Sequence, residues 1–323
     1  MERFDRDQLE AAVRVHRPGI HGDLEFEPIR TGKFNTSYYV RGDGEQMVLR
    51  IAPSPESVFC FYEKDMMRQE PEIHSRLREE TEVPVAEIFA FDDTKETIGR
   101  DYLLMERLPG RALTDARGVD QSRVLRQVGE YLARTHELSI DRYGYVGPHK
   151  PMRPQDSWVE AFQVMWNKLI DDVVDVGHYD EDESSLLRRL LEDNLELFDR
   201  DEPARLLHMD IWSQNILVDS KSRVTGLVDW DRALWGDPEI EFAVLDYCGI
   251  SRPAFWEGYG RRRDATREAR VRQIFYLLYE LQKYIVIREG RGHDSARARS
   301  YKRQVMEMVR RDLLNTGQTG LYR

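Results

Sequence analysis

The chain is poor in cysteine, in positive charge and in long apolar runs, and each shortage excludes a class of protein. Two cysteines in 323 residues, Cys60 and Cys248, sit among Phe and Tyr. They are too few for a disulfide framework and read as free buried thiols in a reducing compartment. Forty-eight Lys and Arg against 59 Asp and Glu leave a formal charge of −11. Nucleic acid and anionic lipid are bound through basic excess, so neither partner is expected, whereas a cationic substrate would suit the field. No stretch approaches the roughly 20 apolar residues of a membrane span, and the opening Met1-Glu2-Arg3-Phe4-Asp5-Arg6-Asp7 is too charged for a secretion signal. A cytoplasmic location is expected. No repeat, low-complexity tract or long linker interrupts the chain. Its length allows two parts with a substantial core.

The most informative stretch is Leu206-Leu207-His208-Met209-Asp210-Ile211-Trp212-Ser213-Gln214-Asn215-Ile216-Leu217-Val218-Asp219, followed by Gly226-Leu227-Val228-Asp229-Trp230-Asp231. An apolar run, a polar segment and a second apolar run predict strand, loop and strand. Turn residues at 219–222 and the apolar return to Val228 predict a hairpin over 215–229. Its open end carries Asn215 and Asp229 beside the loop carboxylate Asp210. Oxygen donors so placed suit a hard cation such as Mg²⁺ held against phosphate oxygens. His-x-Asp-x-x-x-x-Asn with a later Asp is the layout of a kinase catalytic loop and its metal-binding Asp.

These residues resemble the aminoglycoside phosphotransferase and choline kinase superfamily, small-molecule kinases with a protein-kinase-like fold. The resemblance implies that Asp210 is the catalytic carboxylate that accepts or orients the acceptor hydroxyl. It implies that Asn215 and Asp229 are metal ligands and that His208 organises the loop. Met209 and Gln214 depart from the family, which often has Gly there, and both restrict access to positive φ.

Upstream, Asp5-x-x-Gln8 predicts a capping box opening a short helix with Leu9, Ala12 and Val13 inward. Strands are expected over 24–29, 36–41 and 46–52, with Gly42-Asp43-Gly44 as the turn. Gly32-Lys33-Phe34-Asn35-Thr36-Ser37 resembles the family's Gly-x-x-Asn loop over the nucleotide phosphates, which assigns Gly32 and Asn35 to the nucleotide; an ordinary β-turn would look the same. In the third strand Arg50 is a charge on an apolar face. It stands where kinases place the Lys that pairs the α and β phosphates, and Arg can pair phosphate bidentately. Met66, Glu70, Ile73 and Leu77 follow helical spacing. A buried Glu70 needs a cation, and Arg50 is its natural partner; alternatively Pro71 starts the helix, and Glu70 or Glu72 only caps it.

Apolar strands are expected over 84–91 and 100–108. Leu103-Leu104-Met105-Glu106-Arg107-Leu108-Pro109-Gly110 resembles the family hinge, with Glu106 and Leu108 where the backbone meets adenine. Helices then dominate: one over 124–136 ending in a hydrogen-bonded structural His136, one capped by Ser157, and later ones over 271–285 and 295–314. Asp171 to Glu183 is acidic. It reads as a solvated loop, with a collar for a cationic acceptor as the sharper alternative. Trp235-Gly236-Asp237-Pro238-Glu239-Ile240-Glu241 and Phe255-Trp256-Glu257-Gly258-Tyr259-Gly260 also resemble family segments, the first bracing the catalytic loop.

The expected fold is α+β and two-lobed: residues 1–106 form an antiparallel five-stranded nucleotide lobe, and 107–323 form a mostly helical lobe with the catalytic loop. The resemblance implies an ATP- and Mg²⁺-dependent transfer of the γ-phosphoryl group to a hydroxyl of a small molecule, such as an amino sugar, aminoglycoside or amino alcohol. Its rival is a nucleotide-binding pseudokinase with a regulatory role. A protein kinase is disfavoured because Asp-Phe-Gly and Ala-Pro-Glu are missing and Asp229 leads directly to Gly236-Asp237-Pro238.

Overall fold

The computed structural model describes residues 2–32 and 34–314; Lys33 of the Gly32 loop lies outside the described residues. Asp5 and Gln8 make the expected capping box at the start of α1 (Arg6–His16). The buried Leu9, Ala12 and Val13 of α1 share a cluster with Val40, Met47, Leu49 and Ile51 of the sheet beneath it. That sheet is antiparallel throughout, with β1 (Glu25–Ile29), β2 (Thr36–Gly42), β3 (Glu45–Ile51), β4 (Ile88–Asp92) and β5 (Tyr102–Glu106) in the order β1-β2-β3-β5-β4. Asp43 and Gly44 join β2 to β3 with φ of 52° and 79°. A two-residue turn with both φ positive matches the twist of the paired strands.

Strand alternation sends Met47, Leu49 and Ile51 under α1 and Val48 and Ala52 toward Leu103, Met105 and Met67 on the other face. Arg50 belongs to that second face and is buried. A 3-10 turn, Met66–Gln69, leads into α2 (Glu70–Glu80), with Pro71 in the first turn, where a missing N–H costs nothing. Met66, Glu70, Ile73 and Leu77 are all buried, as their spacing predicts.

The strand expected from residue 84 begins only at Ile88. Pro84 brings no N–H to a ladder, and its carbonyl accepts instead from Leu227 N–H at 2.9 Å, so this stretch lies along the later hairpin.

The remaining chain is mostly helical: α3 (Gln121–Thr135), α4 (Trp158–Asp175), α5 (Glu181–Glu192), α6 (Glu239–Tyr247), α7 (Pro253–Tyr259), α8 (Arg267–Val286) and α9 (Ser295–Met308). Two small sheets are set among these helices. One pairs β6 (Arg111–Ala112) with β9 (Ile216–Val218) and β10 (Val224–Leu227); the other pairs β7 (Ser139–Ile140) with β8 (Ala204–Leu207) and β11 (Leu234–Gly236). Ser157 caps α4 by accepting from Glu160 N–H at 3.2 Å. Phe162, Trp166, Leu169 and Val173 of α4 are buried with Phe275, Leu278 and Ile285 of α8 in one apolar cluster.

α3 and α7 meet backbone to backbone. A Cβ at Gly258 would lie 1.9 Å from the Arg126 carbonyl oxygen, and one at Gly129 would lie 2.1 Å from that of Phe255. No rotamer relieves such contacts, so the helices must separate to admit a methyl group. Gly258→Ala should therefore destabilise the protein by about 1–3 kcal/mol, despite the better helix propensity of Ala. The check is urea unfolding: the midpoint should fall with the slope unchanged. An unshifted midpoint would show that the two backbones can move apart at no cost.

Candidate functional site

The predicted strand, loop and hairpin are β8, residues 208–215 and β9–β10. His208 follows β8 and lies against Trp230, with ring centroids 4.3 Å apart. Its Nδ1 accepts from Asp210 N–H at 3.2 Å, and its Nε2 lies 3.1 Å from the Val228 carbonyl. One nitrogen must accept and the other donate, so the ring is neutral with its proton on Nε2. Burial holds its pKa below the ordinary value, although Glu241 and Asp210 oppose the shift.

Met209 has φ of 63°, the left-handed backbone that Gly adopts at least cost. A non-glycine residue there costs about 1–2 kcal/mol. Glu241 on α6 offsets that strain: one of its oxygens accepts from both His208 N–H, at 3.0 Å, and Met209 N–H, at 2.7 Å. The other lies 2.8 Å from His136 Nε2, and His136 Nδ1 in turn meets Tyr259 OH at 2.8 Å. His136 is thus hydrogen-bonded as expected.

Asn215 Nδ2 donates to the backbone carbonyl of Asp210 at 2.9 Å and to its carboxylate at 3.2 Å, which leaves the amide oxygen for a cation. The Asn215 carbonyl accepts from Val228 N–H at 3.0 Å, bringing Asp229 to the same end of the hairpin. Asp229 (φ 73°) keeps 39% of its side chain exposed. Three oxygen-bearing side chains, two of them carboxylates, suit a hard cation. Burial pushes Asp210 up, but Arg232 and Lys283, with the Asn215 bond, hold it below the usual carboxylate range. It is therefore ionised at neutral pH.

Arg50 joins this group from the sheet. Its Nη1 donates to Glu70 at 2.5 Å, and its Nη2 donates to Asp229 and, at 3.2 Å, to Asp231. Burial works against its charge, but the three carboxylates more than compensate and raise its pKa. Asn35 donates to Asp231 at 3.1 Å, and Gln69 donates to the Asp231 carbonyl at 2.6 Å. The structure thus gathers Asn35, Arg50, Glu70, Asp210, Asn215 and Asp229. Gly32 lies in a tight turn, where a Cβ would come 3.2 Å from the Asn35 carbonyl. Glu106 and Leu108 stand apart. Glu106 pairs in register with Met47, three residues along β3 from Arg50, and Leu108 packs on Gly226.

Sequence reasoning assigned no role to Asp231, Arg232, Glu63 or Arg291. Arg232 Nη1 lies 3.6 Å from Asp210, and its Nη2 lies 3.0 Å from Glu63. Glu63 carried only a weak signal, the first charge after the aromatic run Phe59-Cys60-Phe61-Tyr62 and followed at once by Lys64 and Asp65. Arg232 carried none, since an Arg after an acidic turn is ordinarily solvated.

A five-stranded antiparallel sheet joined to a helical part, with this loop between them, makes a protein-kinase-like α+β fold. A candidate fructosamine-3-kinase from Thermobifida fusca shares it, with a TM-score of 0.67 at 19% identity over 95% of this chain and 98% of its own. So does the aminoglycoside phosphotransferase APH(4)-Ia in a ternary complex with AMP-PNP and hygromycin B, with a TM-score of 0.61 at 19% identity over 92% and 98%. The chain belongs to the phosphotransferase enzyme family (APH), whose model matches residues 25–274. Among curated relatives, acyl-CoA dehydrogenase family member 10 of Mus musculus is 24% identical over 280 residues, 80% of this chain and 23% of that protein. Hygromycin-B 4-O-kinase of Escherichia coli is 25% identical over 172 residues, 50% of this chain and 47% of that one. The chain therefore spans about a quarter and about half of these relatives.

The acidic stretch at 171–183 is not the expected loop. It is the end of α4, a short connection and the start of α5, where Asp180 and Glu183 form a capping box. Two of its charges are engaged in ion pairs: Asp171 with Arg188 at 2.7 Å and Glu183 with Lys302 at 2.7 Å. Asp172 is half-buried and accepts from Phe61 N–H at 2.7 Å. Burial raises its pKa to about 7; the Phe61 bond opposes this, while Asp175, Glu63 and Asp171 add to it. An acid that ionises later folded than unfolded is most favourable when protonated. Its contribution is therefore lost as pH climbs from the unfolded carboxyl pKa of about 3.9 to about 7. Asp172→Asn removes that loss, so at pH 8 it should stabilise the protein by on the order of 1–3 kcal/mol. Near pH 4 it should be close to neutral. Thermal unfolding across this pH range is the check, and a pH-independent difference would refute the assignment.

Proposed function

We propose that this protein is a small-molecule kinase that uses ATP and Mg²⁺ to move the γ-phosphoryl group to a hydroxyl. The single observation that carries the reading is that the Arg50–Glu70–Asp229 ion cluster stands at the hairpin end that carries the ionised Asp210 and Asn215, where Val228 N–H bonds the Asn215 carbonyl. In this reading residues 1–106 hold the nucleotide and 107–323 hold the acceptor, with Glu106 and Leu108 at the adenine end and Gly32 and Asn35 over the phosphates. Arg50 meets phosphate oxygens, steadied by Glu70. Asn215 and Asp229 would hold Mg²⁺, which neutralises phosphate charge when bound.

Asp210 accepts a hydrogen bond from the acceptor hydroxyl and aims its oxygen at the γ-phosphorus. A new P–O bond then forms as the bond to ADP breaks, and the hydroxyl proton passes toward the carboxylate. Such a transfer asks for positioning and charge neutralisation rather than covalent catalysis. An amine-bearing acceptor, such as an amino sugar, aminoglycoside, ketoamine or amino alcohol, agrees with the acidic surface field and with the substrates for which the hygromycin and fructosamine kinases are named. A cytoplasmic location, where ATP is supplied, completes the reading. No helix among the described residues is long and apolar enough to cross a membrane.

The test is incubation with Mg-ATP and a broad acceptor panel, read by mass shift of the product. Nucleotide binding with no phosphorylated product would favour a regulatory pseudokinase instead. The carboxylates should also separate. Asp210→Asn should lower kcat by about 10²–10⁴-fold with Mg-ATP affinity nearly unchanged, whereas Asp229→Asn should lose Mg²⁺-dependent nucleotide binding as well. Calorimetric titration beside single-turnover kinetics measures both, and the reverse pattern would overturn the assigned roles.

A further inference from the structure

Glu63 lies outside the Arg50 cluster and outside every motif of the sequence, on the connection between β3 and α2. Its side chain is enclosed, at 1% exposure, yet it is charged and fully engaged. One carboxylate oxygen accepts from Cys60 N–H at 2.9 Å. The other accepts from Arg232 and from Arg291, each at 3.0 Å. The two guanidiniums leave in different directions. Arg232 turns its second nitrogen toward Asp210, 3.6 Å away. Arg291, in the turn Ile287–Arg291 that follows α8, places its guanidinium carbon 4.8 Å from the ring centroid of Phe34. Phe34 neighbours Asn35 in the Gly32 loop and also meets Phe59 edge-on at 6.0 Å.

A guanidinium with both edges free beside a carboxylate closes to a bidentate pair at about 2.7–2.9 Å and occupies its lone pairs. Glu63 engages one edge of Arg232 and so competes with Asp210 for it. Asp210 keeps the nearby positive charge while its oxygens stay available to a hydroxyl. The same carboxylate fixes Arg291, and through Arg291 the tip of the loop ahead of β2.

Building on the phosphotransferase reading above, we infer that Glu63 is a positioning residue. It ties the seating of the Phe34 loop to the orientation of Arg232 and Asp210. Loop placement and acceptor activation are then set by one buried charge.

The test uses the full chain, with hydrogen exchange over residues 30–36 beside steady-state kinetics. Glu63→Gln keeps shape and removes the charge; Arg291→Ala cuts the arm that reaches the loop and leaves Glu63 with Arg232 and the Cys60 N–H. Both should speed exchange at 30–36. Arg291→Ala should raise the KM for Mg-ATP by about two- to fivefold, the scale of one cation–π contact, and leave kcat almost unchanged. Arg291→Lys should restore most of that loss. Glu63→Gln should also lower kcat by at least about tenfold, because Arg232 is then free to close on Asp210. If Glu63→Gln does not fold, Phe34→Leu combined with Arg291→Ala carries the test: their effects on KM should fail to add if the residues act through one contact. Unchanged exchange, additive effects, or parallel losses of kcat in the Glu63 and Arg291 variants would overturn the inference. If the unmodified protein phosphorylates nothing, the phosphotransferase reading falls, and exchange alone then decides whether Glu63 anchors the loop.

Discussion

A buried positive charge that must be neutralised organises this molecule. Arg50 sits on β3 with little access to water, and its guanidinium is shared among Glu70 from α2 and Asp229 and Asp231 from the end of the hairpin. Removing Arg50 from such a cluster typically costs about 3–5 kcal/mol, because its carboxylate partners are left without their shared cation. The sheet, the helix beside it and the loop carrying Asp210 are therefore held together by a requirement of charge balance, not by apolar contact alone.

The loop itself is held by a second device of the same kind. Met209 occupies a left-handed conformation that its side chain disfavours, and Glu241 holds it there through two backbone N–H groups while engaging His136. The segment around Gly236-Asp237-Pro238 thus braces the loop through Glu241. Asp237 faces elsewhere, pairing with Arg200 at 2.6 Å.

Much of this was legible in the sequence, because local chemistry and periodicity agreed. Period-two alternation put Arg50 alone on an apolar face, helical spacing did the same for Glu70, and the hairpin followed from turn residues between apolar runs. Two errors came from over-reading composition. Acidity at 171–183 suggested a loop, although the Asp180 and Glu183 spacing is itself a helix start. An apolar run over 84–91 suggested a strand beginning at Pro84, which could not join the ladder. The contacts of Arg232 and Arg291 were not legible. They depend on how a connection with no periodicity crosses to the helical part, and long-range ion pairs leave no local trace.

That crossing has a consequence for how the chain is made. Glu63 and Arg291 are 228 residues apart, so during synthesis at about 5–20 residues per second the carboxylate waits roughly 10–45 s for its second arginine. Until then, burying Glu63 would enclose a charge that lacks part of its neutralisation. The connection that carries it should stay undocked on the ribosome. The five-stranded sheet can form early from contacts close in sequence, but Glu63 acquires its second arginine only after α8 has emerged. Completion of the Glu63 contacts is thereby coupled to synthesis of the chain through residue 291.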